Sequence, residues 1–300
     1  MTDFLNLDYK HTLLSETATY RNLQRLGVGG SAETYLMVAT SGNLRGQLFA
    51  VKLFRRLFKP NFRTNFLSEI KFLQGCNHPA LMRVFDEGTY QEEHPFVVAE
   101  YLPDTLEAIL RSNPPMMSKM AFAIQLLSAL EYLSKTEISV LHRDIKPANI
   151  FIKGGSCVLG DFGLLKRLSD GIPEDQTEIR ESVGPGMPRR YRTPDLVEYF
   201  RNATLPSTKS DIYQLGLVFA EMFSGKNPQQ PMKTDNYAEP IELSSFYVPG
   251  GMGKLIKPLI LRMLESDPAK RPSASEIIPQ WHDQFLEAAE RSHELEGRVF

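Results

Sequence analysis

Cysteine is scarce: Cys76 and Cys157 are the only two in 300 residues. Two thiols build no disulfide framework, and a reducing, cytoplasmic setting fits best. Excess charge is missing as well. Thirty-four basic against 36 acidic side chains leave a net charge of −2, which gives nucleic acid or an anionic membrane surface nothing to attract. No apolar run is long enough to cross a bilayer, so no membrane segment is expected in this chain. The opening MTDFLNLDYKHTLL lacks the basic start and continuous apolar core of a secretion signal. Internal repeats and low-complexity tracts are absent too. What is present is 42% hydrophobic and 23% charged residues, the composition of a globular protein with enough core for one large domain or two lobes.

Residues 1–19 are polar with scattered apolar positions and read as an extension that packs loosely or not at all. From Tyr20 the pattern becomes strand, turn, strand around Gly27-Val28-Gly29-Gly30-Ser31, with the second strand over Thr34 to Ala39. Leu48 to Phe54 is a strong strand that carries Lys52. Asn61 to Gln74 has helical periodicity through Phe66, Ile70 and Leu73, with Glu69 in its middle. Strands over Leu81 to Phe85 and Phe96 to Glu100, separated by a polar loop through Gly88, complete a five-stranded α+β lobe. After Leu102-Pro103, a candidate hinge, the chain is mainly helical. Asp104 is placed to cap a short helix to Arg111, Ser118 to Ser134 and Ser210 to Ser224 are longer helices, and Leu255 to Leu264 is another. Ser273 with Glu276 forms a capping box, and the charged end of the chain reads as a surface helix.

The chemistry concentrates in Leu141 to Gly163, LHRDIKPANIFIKGGSCVLGDFG. Ile150 to Ile152 and Cys157 to Leu159 read as two strands joined at Gly154-Gly155. Such a hairpin returns its ends to one place, so Asp144, Asn149 and Asp161 should face one cleft. Three oxygen-bearing side chains suit a hard cation such as Mg²⁺ and the positioning of a hydroxyl, the outline of a phosphoryl-transfer site. Taken singly the other features are weak. Gly27-x-Gly29 between strands is an ordinary hairpin turn unless its N–H groups meet phosphates. Lys52 alone is a solvated charge, Glu69 a helix-surface carboxylate, and His142 a core histidine.

In this order, from about Tyr20 to Gln280, the features resemble the eukaryotic-type serine/threonine protein kinase family. Lys52 in Phe49-Ala50-Val51-Lys52, Glu69, His142-Arg143-Asp144-Ile145-Lys146-Pro147-Ala148-Asn149, Asp161-Phe162-Gly163, Thr193-Pro194-Asp195, Asp211 and Arg271 fall at the family's positions. The resemblance implies a two-lobed α+β fold: a small N-lobe (20–101) with a five-stranded antiparallel sheet and one helix, a hinge at 102–103, and a larger, mainly helical C-lobe (104–282). Residues 1–19 and 283–300 would be extensions, the latter helical. It implies ATP with Mg²⁺, or Mn²⁺ in its place, and a protein substrate with a Ser or Thr acceptor. The catalytic residues would be Asp144 as base, Lys146 at the γ-phosphate and Lys52 at the α- and β-phosphates, with Glu69 pairing Lys52. Asn149 and Asp161 would hold metal. Leu26, Gly27, Gly29, Gly30, Thr34, Ala50, Ala99, Glu100, Leu102 and Phe151 would line the nucleotide site, Ala99 being an unusually small residue behind adenine. Arg143 and Lys166 would form a basic pocket for a phosphorylated activation segment, with Thr177 or Ser182 as the phosphorylated residue.

Three departures stand out. Ala32 replaces the third glycine of the phosphate loop, and Asp195 replaces a glutamate. In Gly184-Pro185-Gly186-Met187-Pro188-Arg189-Arg190-Tyr191 the family's substrate-loop threonine is missing, with Met187 or Pro188 in its place. A scaffold that binds nucleotide without efficient transfer is the alternative this suggests. A small-molecule kinase of related fold is opposed by Lys146-Pro147 and the activation segment.

Overall fold

The computed structural model describes residues 5–29, 32–54, 70–135, 140–161, 166–167, 191–195, 207–229, 241–243, 246–248 and 251–296. The chain divides into two compact units, Met1–Pro103 and Asp104–Phe300.

The first unit is a six-stranded sheet in the order β1-β2-β3-β4-β6-β5. Its strands are β1 (Thr12–Leu14), β2 (Thr19–Val28), β3 (Ala32–Ala39), β4 (Leu48–Phe54), β5 (Val84–Tyr90) and β6 (His94–Glu100). Every neighbouring pair is antiparallel. Alternation decides the faces: Tyr35, Met37, Phe49, Val51, Leu53, Phe96 and Val98 point into one apolar core. Residues 70–75 are helical.

Residues 5–19 are not loose. Leu7 and Leu13 join that core, and β1 adds a sixth strand to the five expected. Asn22 donates to the Leu7 and Asp8 carbonyls at 3.0 Å each, and the Leu7 N–H donates to the Tyr35 hydroxyl at 3.0 Å. A bridge from Ser15 to Gly88 brings the strap to the far edge strand, β5. Gly88, expected in a loop, lies within β5 because the Phe96 ring packs on it; a Cβ there would sit 2.3 Å from the ring. Asp86 ties the segment down. One carboxylate oxygen of this buried residue accepts from the hydroxyls of Ser15 at 2.5 Å, Thr17 at 2.6 Å and Tyr20 at 2.7 Å. Burial, then the Asp86 bond, pushes the Tyr20 phenol well up. Asp86→Ala should therefore destabilise this unit by about 2 kcal/mol, since three donors lose one charged acceptor. Urea unfolding measures it, and an unchanged transition would mean that the cluster does not hold the strap.

The second unit is mainly helical: α1 (Leu106–Leu110), α2 (Met116–Lys135), α3 (Thr208–Ser224), α4 (Gly253–Met263) and α5 (Ala274–Glu296). Two short antiparallel strand pairs lie in the same unit, β7 (Val140–Leu141) with β10 (Lys166–Arg167) and β8 (Ile150–Lys153) with β9 (Ser156–Leu159). Thr105, not Asp104, caps α1, accepting from Ala108 N–H at 3.3 Å. Asp104 instead gives its carbonyl to Ile152 N–H at 2.9 Å. The Ser273–Glu276 box closes in both directions, at 2.6 and 3.3 Å. From it α5 runs unbroken to Glu296, and Trp281, fully buried, stacks on Phe223 and meets Phe219 edge-on to fasten α5 to α3.

Candidate active site

β7 delivers the chain to a loop whose backbone is held from α3. Asp211 accepts from the N–H groups of His142 and Arg143, 2.8 Å each, one on each carboxylate oxygen. Complete burial pushes its carboxyl up, opposed by His142, Arg143 and the two N–H donors. Arg143 has φ +64°, a left-handed conformation that costs a non-glycine residue about 1 kcal/mol or more. The two bonds to Asp211 hold it there. His142 is itself fully buried, with Nε2 2.9 Å from the Gly160 carbonyl. The Asp144 N–H approaches Nδ1 at 3.4 Å, so Nδ1 faces a donor and Nε2 an acceptor.

This loop presents Asp144. Its Oδ2 accepts from Lys146 Nζ at 2.7 Å and from Asn149 Nδ2 at 2.8 Å. Asn149 also donates to the Asp144 main-chain carbonyl at 2.8 Å. Pro147 opens the 3₁₀ turn Pro147–Asn149 that makes this reach possible, its fixed φ suiting the first position. β8 and β9 then pair from Ile150↔Leu159 to Lys153↔Ser156, turning at Gly154 and Gly155, both at positive φ as a two-residue hairpin turn requires. The hairpin's open end is closed by Gly160 N–H to Asn149 O, 3.0 Å. Asp161, next in the chain and at φ +59°, is thereby brought to Asn149. Asp144, Asn149 and Asp161 are gathered at one end of one hairpin.

With both Asn149 amide protons used on Asp144, its carbonyl oxygen is the atom it has for a cation. Together with the Asp161 carboxylate it could offer hard oxygen donors to a divalent cation. Among the described residues no group of three or more His, Cys, Asp and Glu forms a protein-only metal site.

In the first unit, cross-strand register decides which candidates share a surface. Gly27 faces Thr34, Thr34 faces Lys52, and Ala50 faces Ala99. Since opposed residues point the same way, Thr34, Ala50, Lys52 and Ala99 line the face opposite the apolar core. Lys52 and Ala99 are half-buried there. Gly29 N–H closes the tip of the β2–β3 turn on Ala32 O at 2.8 Å. Among the described residues a Cβ at Gly27 would meet nothing within 4 Å. Leu26 is 39% exposed beside a register shift in β2. Glu100 pairs with Arg83 through its N–H and its carboxylate, both at 3.0 Å, and Leu102 lies just before the unit boundary. Phe151 is half-buried in the second unit, bridged to Thr105. Lys166 pairs through β10 with Leu141, two residues before Arg143. Gly30, Glu69, Thr177, Ser182 and Met187 lie outside the described residues.

Arg271 meets Asp195 at 2.7 Å with its side chain fully buried, while the Ser210 hydroxyl donates to the other Asp195 oxygen. The sequence reading missed Gln214. This fully buried amide lies one helical turn after Asp211 and contacts the same loop. A glutamine inside the apolar run of α3, three residues past an aspartate on the loop-facing side, is the signal that marks it.

The profile of the family described as Protein kinase domain matches residues 20–282. Human mitogen-activated protein kinase kinase kinase 4 is 27% identical over 270 residues, 87% of this chain and 16% of that protein. Mouse serine/threonine-protein kinase PLK2 is 29% identical over 268 residues, 87% of this chain and 36% of that protein. Glycogen synthase kinase 3 of Trypanosoma brucei brucei is 32% identical over 196 residues, 60% of this chain and 52% of that protein. This chain thus spans between about a sixth and a half of the length of these relatives. A loop that holds one aspartate between a lysine and an asparagine, a hairpin that returns a second aspartate to it, and a profile match over most of the sequence have one common account: the chain belongs to the protein kinase family.

Proposed function

We propose that the protein is an ATP-dependent serine/threonine protein kinase, transferring the γ-phosphoryl group of ATP to a protein hydroxyl. The observation that carries this reading is the Asp144 carboxylate, engaged on one oxygen by both Lys146 and Asn149. Among the described residues the hydrogen bonds fall on that one oxygen, and the second is assigned to an incoming Ser or Thr hydroxyl. In the transfer, the acceptor oxygen forms a bond to the γ-phosphorus as the bond to the ADP oxygen breaks, and the acceptor proton passes late to Asp144. Lys146, 2.7 Å from that carboxylate, would steady the phosphoryl oxygens as charge shifts among them. Asn149 and Asp161 would hold a divalent cation, Mg²⁺ in this reading, which would offset phosphate charge. Lys52 takes the α- and β-phosphates, and backbone groups of Glu100 and Leu102 take adenine.

The same proposal includes regulation: Arg143 and Lys166, carried on paired backbone near one another, receive a phosphate from Thr177 or Ser182. One experiment addresses transfer and regulation. The chain is incubated with Mg-ATP and mapped by mass spectrometry beside the Asp144→Ala form. Phosphate between Gly163 and Asp195 in wild type alone is expected; equal incorporation in both forms would show that the phosphate came from elsewhere.

Ala99 offers a test of the nucleotide face. It stands opposite Ala50, two small side chains that leave room beside the sheet. Bulky purine-type inhibitors should bind wild type, and Ala99→Phe should weaken them by ~10-fold or more through overpacking, with ATP use retained. Equal inhibition of the two forms would remove Ala99 from the pocket.

A further inference from the structure

Gln214 is fully buried, and each end of its amide is spent on main chain. Its Oε1 accepts the Ile145 N–H at 3.0 Å. Its Nε2 donates to the Arg143 carbonyl at 2.9 Å and to the Tyr191 carbonyl at 3.1 Å. With Asp211 on the N–H groups of His142 and Arg143, the backbone on both sides of Asp144 is pinned from one face of α3. The third bond is of another kind. It reaches Tyr191, the residue that follows Arg189-Arg190 in the sequence, in the stretch that the kinase reading assigns to the protein acceptor. Tyr191 is anchored there independently, its buried hydroxyl donating to Glu221, also on α3. A shorter polar side chain at position 214 would not span from Arg143 to Tyr191, whereas the primary amide has two donor protons and an acceptor to divide among three partners.

We propose that Gln214 is a positioning residue that sets Asp144 and the acceptor-side segment at Tyr191 in register with each other. This rests on the kinase reading and adds a residue to it. The physical basis is that an amide with three main-chain partners cannot move toward one without releasing another. A displacement at Tyr191 is therefore felt at residues 143–145, where Arg143 already sits in a left-handed conformation with little tolerance. Gln214 touches neither ATP nor acceptor; it acts through the backbone that carries Asp144.

The test compares full-length wild type with Gln214→Met, which keeps the shape and removes all three bonds. Casein serves as acceptor, Mg-ATP as nucleotide, and hydrogen exchange is followed over residues 141–149. Expected for Gln214→Met is a kcat for casein lower by ~10- to 100-fold, Mg-ATP affinity within about twofold of wild type, and faster exchange at Ile145. A merely structural role would lower both activities in proportion to the folded fraction. The proposal is overturned by kcat within about twofold of wild type, by parallel loss of Mg-ATP affinity, or by unchanged Ile145 exchange. Should Gln214→Met not fold, Gln214→Ser, which leaves room for water beside the same backbone groups, is judged by the same criteria. If wild type transfers no phosphate to casein or to itself while Asp144→Ala behaves identically, the kinase reading fails. The brace is then decided by exchange alone, and an unchanged Ile145 amide refutes it.

Discussion

Replacing Asp144 with alanine should lower kcat for acceptor phosphorylation by about 10³-fold or more while leaving Mg-ATP affinity within a few-fold of wild type. A positioned proton acceptor is worth ~10²- to 10⁴-fold, and orientation of the hydroxyl adds to it. Structure sets the size of this expectation. The side chain is 14% exposed, and the Lys146 side chain beside it 19%, so the carboxylate works in a partly dry setting where its charge is little screened. Its removal also leaves Lys146 and Asn149 without their shared acceptor, and the lysine is then free to settle elsewhere on the phosphates. Asp144→Asn keeps the shape and one acceptor oxygen but cannot take a proton; it should be nearly as impaired. Initial rates at saturating Mg-ATP, with nucleotide binding measured separately, distinguish loss of chemistry from loss of binding. Rates for Asp144→Ala within tenfold of wild type would move the base to another residue.

The second large effect is on stability. Arg271→Met should destabilise the second unit by about 3–5 kcal/mol, the range for stripping one partner from a buried ion pair. The guanidinium has no exposed side-chain surface and spends its donors on four groups: Asp195 at 2.7 Å, Lys209 O at 3.0 Å, Glu265 O at 2.6 Å and Ser266 O at 3.0 Å. The Tyr213 ring covers it at 4.8 Å. Methionine fills the volume but leaves Asp195, itself buried, with the Ser210 hydroxyl for its charge. Arg271→Lys should recover little, because one ammonium cannot reach partners spread around a planar fork. Pairing Asp195→Asn with Arg271→Met should restore part of the loss, since the stranded charge goes with it. Thermal unfolding of the four forms gives the comparison. An Arg271→Lys protein within about 1 kcal/mol of wild type would show that one contact, not the fork, matters.

Both expectations concern residues visible in the sequence, and the reason is local. The loop around Asp144 is built from residues within a few positions of one another: Lys146, Pro147 and Asn149 meet Asp144 through a single 3₁₀ turn. Likewise β8 and β9 are joined by a two-residue turn, so Gly154-Gly155 suffices to bring Asp161 back to Asn149. Strand alternation over Phe49, Val51 and Leu53 put Ala50 and Lys52 on the other face. Where the sequence misled, the deciding partner was distant. Gly88 looked like a loop because nothing nearby in the chain announces the Phe96 ring that occupies its missing side chain. Thr105 rather than Asp104 caps α1, a choice between adjacent residues that Ile152 settles by taking the Asp104 carbonyl.

By itself, then, the sequence determined the order of the chemical motifs, the family, the faces of the central strands and the turns that carry Asp144, Asn149 and Asp161. Only the tertiary structure decided that Leu7 and Leu13 belong to the core, that Asp86 gathers the Ser15, Thr17 and Tyr20 hydroxyls, and that Gln214 joins Arg143, Ile145 and Tyr191. Periodicity and spacing report which way a side chain points within its own element. They carry no information about which group tens of residues away will be waiting there, because that partner is chosen by the packing of whole elements and by the cost of leaving a buried polar atom unmet.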